Sequence, residues 1–155
     1  MATLSILTLT LSSLLPTTPE QSIVHCSNLI TDAHQQQLEQ AILEFGEQLR
    51  QHKGIGLFYY AGHGLQLHHR NYLLPTDFNP KTEEDVRYDA LPLSQLLEQM
   101  KAAGNELNLV ILDASRVSPF YRYMRVVRQG LAEVEEPAGA FLSMAAAPDQ
   151  FAVDI

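Results

Sequence analysis

Apolar residues recur along the chain in two rhythms, and these divide it into helices and strands. From Thr31 the segment TDAHQQQLEQAILEFGEQLRQHKG places Leu38, Ile42, Phe45 and Leu49 on one helical face. An amphipathic helix is expected there, with Thr31 or Asp32 as N-cap and Gly54 as its stop. The segment LPLSQLLEQMKAAGN repeats the pattern through Leu93, Leu96, Leu97 and Met100, and Gly104 ends it. Three short apolar runs stand apart from these helices: GIGLFYYAG, LNLVILDAS from Leu107, and AGAFLSMAAAP from Ala138. Bounded by turn residues, such runs read as strands buried on both faces of a parallel sheet. Ile23 to Cys26 is a further strand candidate, and Tyr72 to Leu74 a brief one that Pro75 ends.

Strands alternating with helices predict an α/β fold, a parallel sheet covered by helices. Ligands of such sheets gather beyond the carboxyl ends of the strands, which singles out His63 and the stretch from Asp113 to Ser115. The segment from Arg116 to Pro137 is polar and irregular. It carries Arg116, Arg122, Arg125 and Arg128, followed by Glu133, Glu135 and Glu136. The opening stretch MATLSILTLTLSSLLPTTPE has no Lys or Arg before its apolar run, and Ser and Thr interrupt it. It therefore makes a poor export signal and is too short to span a membrane. Its alternation fits a strand, and residues 1–22 are expected to form a loosely tied N-terminal arm.

At 155 residues and 46% apolar content the chain is sized for one domain with a substantial core. A formal charge of −8 opposes affinity for phosphate backbones and anionic membranes, so neither nucleic acid nor membrane is an expected partner. Cys26 is the single cysteine, which excludes an intrachain disulfide and a cysteine metal cage and fits a reducing, cytoplasmic setting. His68 and His69 are adjacent and point to different sides of an extended segment, while His25, His34 and His52 lack ligand spacing. With no alternating-carboxylate calcium loop either, no metal and no cofactor is expected.

Two neighbouring parallel strands ending in GHG and DAS would bring an imidazole and a small polar side chain to one sheet edge. Gly62 and Gly64 let the backbone turn around His63, and amides after His63 and at Ser115 are placed to meet a developing oxyanion. FYYAGHG, then NYLLPTD, LVILDASR followed by PF, GLA, and PAGAFLSMAAAPDQ occur in that order from about Ile23 to the C-terminus. This succession resembles the landmarks of bacterial caspase-like peptidases of the orthocaspase or metacaspase type. The family's histidine precedes its nucleophile by about 50 residues, as His63 precedes Ser115. The resemblance implies a caspase-like three-layer sandwich over residues 23–155, a mostly parallel sheet flanked by helices. It implies His63 as the dyad histidine and Ser115 at the place of the nucleophilic cysteine. Gly64 and Ser115 would supply the oxyanion-binding amides, and Asp113 would help form a pocket for the Arg or Lys before the cleaved bond.

The chain departs from that pattern in three places. A cysteine beside an imidazole reaches the thiolate from a free pKa near ~8.5, whereas serine needs an oriented base, and no residue can be named that orients His63. Active relatives also carry asparagines after the arginine, where this chain reads RVSPF. The N-terminal stretch matches neither the family's first core strand nor its asparagine-aspartate element, and relatives continue beyond AAAPDQ. The domain thus reads as truncated at both ends, with exposed apolar sheet edges that a second copy or a full-length relative would cover. The leading expectation is a catalytically inactive caspase-like module that binds or regulates through a peptide or protein with a basic residue. An endopeptidase with Ser115 as nucleophile or as an engineered replacement for cysteine, and a degenerate fragment without a role, are the alternatives.

Overall fold

The computed structural model describes residues 5–11, 24–114, 127–128, 130–135 and 138–150. Helix α1 (Gln35–His52) buries Leu38, Ala41, Ile42, Phe45 and Leu49 along one stripe, as its periodicity requires. Its N-cap is His34, not Thr31 or Asp32. Thr31 is the last residue of the preceding strand, and Asp32 sits at φ 52, outside the helical basin. At the other end Lys53 takes the left-handed position at φ 53, one residue ahead of Gly54, and its amide donates to the Leu49 carbonyl. The Lys53 ammonium also donates to the Ala103 carbonyl, capping the last turn of a second long helix with a cation. That helix, α3 (Leu93–Ala103), stops at Gly104 with φ 61, as expected. A short helix, α2 (Glu83–Asp89), precedes it. The Thr82 hydroxyl accepts from the Asp85 amide, and the Asp85 carboxylate accepts from the Lys81 and Thr82 amides, which hold that carboxyl below its ordinary range.

The main sheet holds β1 (Ser5–Leu11), β2 (Val24–Thr31), β3 (Ile55–Ala61), β7 (Leu107–Asp113) and β9 (Ala140–Met144), in the order β2-β1-β3-β7-β9. β3 pairs with β7 and β7 with β9 in parallel, while β1 runs antiparallel to both its neighbours. The other four strands therefore point one way, and β1 alone opposes them. Ser5–Leu11 of the N-terminal arm is thus not loose: it occupies the sheet interior, where a missing strand was expected. A second, smaller sheet has the order β6-β5-β4-β8, from β4 (Gly64–Leu67), β5 (Arg70–Leu73), β6 (Leu91–Pro92) and β8 (Val127–Arg128).

Burial alternates along β3 and β7. Phe58, Tyr60, Val110 and Leu112 face the stripes of α1 and α3 in one core, where the Phe45 and Phe58 rings lie 6.3 Å apart at 41°. The opposite face is different. Leu57, Tyr59 and Leu109 are half-buried, and Ile111, Phe141 and Leu29 are 37%, 56% and 65% exposed. Burial on both faces is therefore not what these runs encode among the described residues. Among the described residues α1 and α3 pack on one face of this sheet, whose β3, β7 and β9 are parallel, in keeping with the expected α/β fold. A second cluster, with Leu65, Leu67, Tyr72, Phe78 and Val86, fills the space beneath the β4–β5 hairpin and α2.

The two faces differ in their response to truncation. Phe58→Ala is expected to lower unfolding free energy by about 3–5 kcal/mol, because the buried ring leaves a cavity. Phe141→Ala is expected to cost less than about 1 kcal/mol. Urea unfolding of both variants checks this, and equal losses would contradict an open face.

Candidate functional site

The parallel register sets Ala61 opposite Asp113 at the carboxyl ends of β3 and β7. Backbone pairing continues past those ends. The Gly62 amide donates to the Asp113 carbonyl and the Gly64 amide to the Ala114 carbonyl, each at 3.0 Å. His63 is held between these two bonds. Its carbonyl accepts from the Leu74 amide at 3.0 Å and from the Tyr60 hydroxyl at 2.7 Å. Its imidazole is half-buried, with Nδ1 shielded from solvent.

Tyr60 was not anticipated, although a phenol inside an apolar strand demands a polar partner. Its hydroxyl is fully enclosed, accepts from the Leu74 amide at 3.1 Å, and lies 3.0 Å from the Leu74 carbonyl. Burial pushes its ionisation far above the ordinary phenol range, so the ring stays neutral and keeps a proton for the His63 carbonyl. Asn71, buried on β5, plays a similar part for a more distant segment. Its Nδ2 donates to the Ala132 carbonyl at 2.8 Å and its Oδ1 accepts from the Ala132 amide at 2.7 Å. The neighbouring Leu131 carbonyl accepts from the Asp149 amide, and Asp149 Oδ1 accepts from Gln66 on β4 at 2.6 Å.

His63, Gly64 and Asp113 are therefore brought to one sheet edge, with Asp113 half-buried beside the GHG turn. Ser115 lies outside the described residues, as do Arg116, Arg122, Arg125 and Glu136. Gly64 differs from expectation in one respect. Its amide is directed at Ala114, so in this conformation it is not offered to an oxyanion. The need for glycine there is steric: a Cβ would lie 2.9 Å from Leu131 Cδ2 and 3.0 Å from the Ala114 carbonyl oxygen. Among the described residues no group of three or more His, Cys, Asp or Glu is placed to hold a metal ion. No described helix is long and apolar enough to cross a membrane.

Gly64→Ala is expected to cost about 1–3 kcal/mol by overpacking against Leu131 and Ala114. Tyr60→Phe is expected to cost about 1–3 kcal/mol through unmet buried carbonyls. It should also alter the alkaline limb of stability. A folded-state pKa raised above the unfolded value of about 10 contributes stability that is complete below that pH and lost as pH rises. Removing the hydroxyl removes that loss, so the melting temperature of Tyr60→Phe should fall less steeply above about pH 10. Parallel melting curves in this range would contradict the buried neutral phenol.

The family model described as caspase domain matches residues 21–154, which leaves β1 outside the match. No curated protein matches the chain.

Proposed function

The chain belongs to the caspase domain family, and we propose that within it this is a pseudo-peptidase of the orthocaspase or metacaspase type. It keeps the histidine and an acid for basic side chains, and it binds peptides or proteins presenting Arg or Lys without hydrolysing them. The observation that carries this reading is the serine at position 115, which the resemblance of LVILDASR sets at the place of the family's nucleophilic cysteine. A serine hydroxyl does not reach the anion near neutral pH, and serine hydrolases overcome this with an oriented histidine and a preformed oxyanion hole. The Gly64 amide, one donor of that hole, is engaged by the Ala114 carbonyl. Asp113, half-buried beside the GHG turn, is the acid we assign to a basic ligand side chain. The acidic balance of the chain and its single cysteine support a cytoplasmic setting without nucleic-acid or membrane partners. The exposed Leu29, Ile111 and Phe141 favour an additional chain as partner, a second copy or a full-length relative.

The test is hydrolysis and binding of an Arg-terminated fluorogenic peptide by the chain and by the Ser115→Cys, His63→Ala and Asp113→Asn variants. The unaltered chain should bind without turnover, and Asp113→Asn should weaken binding by about tenfold, as removal of a charged hydrogen-bond partner does. Ser115→Cys should acquire turnover that His63→Ala abolishes. Turnover by the unaltered chain that disappears with His63→Ala would make this a serine-dependent endopeptidase instead. Failure of every form to bind would leave no ligand role for the edge.

A further inference from the structure

The β4–β5 hairpin carries a separate feature at its turn end. Between Arg70, α3 and residues 133–135 lies a cavity of about 430 Å³, within the range of small-ligand pockets. Leu93, Leu97 and Val134 contribute apolar surface to it, while Glu98, Glu133 and Glu135 contribute carboxylates and Arg70 a guanidinium. None of these four charged side chains forms an ion pair with another described residue. Their backbones are nonetheless fixed. Arg70 begins β5, Glu98 lies within α3, and the segment that carries Glu133 is anchored by the paired Asn71–Ala132 hydrogen bonds.

Carboxylates that outnumber the one guanidinium favour a cationic ligand, and the guanidinium favours an anionic group on the same molecule. Apolar surface in the same lining suits a methylene stem joining the two. We propose that this cavity binds the end of a peptide that terminates in arginine or lysine. Its terminal carboxylate meets Arg70, its side-chain cation meets Glu98, Glu133 and Glu135, and its methylenes cover Leu93, Leu97 and Val134. The site is distinct from the edge that holds His63, since the Leu67–Arg70 end of the hairpin is three residue steps, about 10 Å, from Gly64. It does not depend on the pseudo-peptidase reading.

Nuclear magnetic resonance titration of the full chain with Nα-acetyl-arginine, its amide, and Nα-acetyl-norleucine tests the proposal. Acetyl-arginine should bind saturably and shift the amides of Arg70, Glu98 and Val134. Its amide should bind about fivefold more weakly, a difference that Arg70→Met erases, in keeping with an exposed charge pair. The double variant Glu98→Gln, Glu133→Gln should lose about fivefold or more of the binding that these three amides report. Equal binding of acetyl-norleucine, or no saturation by about 10 mM, would overturn the proposal. Saturable shifts confined to the amides around His63 and Asp113, with none at Arg70, Glu98 and Val134, would place the ligand at the other edge and overturn it as well.

Discussion

The parallel pairing of β3 with β7, carried past the strand ends into the GHG turn, is the constraint on which the rest of the molecule depends. Seven register pairs from Ile55↔Leu107 to Ala61↔Asp113 align the strands, and the Gly62–Asp113 and Gly64–Ala114 bonds extend the pairing to either side of His63. Each such bond contributes only about 1 kcal/mol net, but an unmade one in a buried setting costs about 1–3 kcal/mol. The turn is thereby tied to the sheet, and the packing of α1 and α3 on Phe58, Tyr60, Val110 and Leu112 stabilises both together.

The motifs that identify the family meet in space for structural reasons. FYYAGHG supplies Tyr60 and the His63 carbonyl, and NYLLP supplies Asn71 and the Leu74 backbone. GLA supplies Leu131 against Gly64 and Ala132 against Asn71, and APDQ supplies Asp149 for the Leu131 carbonyl and Gln66. Residues far apart in sequence thus satisfy one another's buried polar groups, and a change in any member leaves a partner unmet. Much of the landmark pattern therefore records architecture, with a smaller part left for chemistry.

What could be read from the sequence follows the strength of each local signal. The stripes of α1 and α3 and the stop at Gly104 are strong amphipathic and capping patterns, and they stand. The N-cap of α1 was misplaced because an aspartate ahead of a helix resembles a cap, whereas Asp32 adopts a left-handed turn. Helix α2 escaped notice because it is seven residues long and buries only Val86, although the Thr82–Asp85 capping box was there to be read. The β4–β5 hairpin was hidden by its turn, which sets His68 and His69 at φ 50 and 61 where Asn-Gly is the usual signal. Alternation in the N-terminal arm marked a strand without naming its neighbours. Pairing is a long-range property, so its antiparallel place between β2 and β3 had no local signature. The strand-end rule pointed to His63 and Asp113, and the family resemblance added Gly64; the structure sets all three at one sheet edge, yet no pattern of residue types reveals where an amide points.

The bonds that fix His63 bear on how a catalytic position can change without loss of the fold. Its backbone is held by the Leu74 amide and the Tyr60 hydroxyl, and its neighbours by the Asp113 and Ala114 carbonyls. Three of these four groups belong to the backbone, and the fourth is a tyrosine on β3. None is a side chain at position 115, so these four bonds do not themselves depend on whether sulfur or oxygen stands there. Selection on thiol chemistry and selection on the fold therefore act on separate atoms. Under the proposed reading, a chain released from the first still meets the second and keeps the strand-end turn that sets His63 beside Asp113.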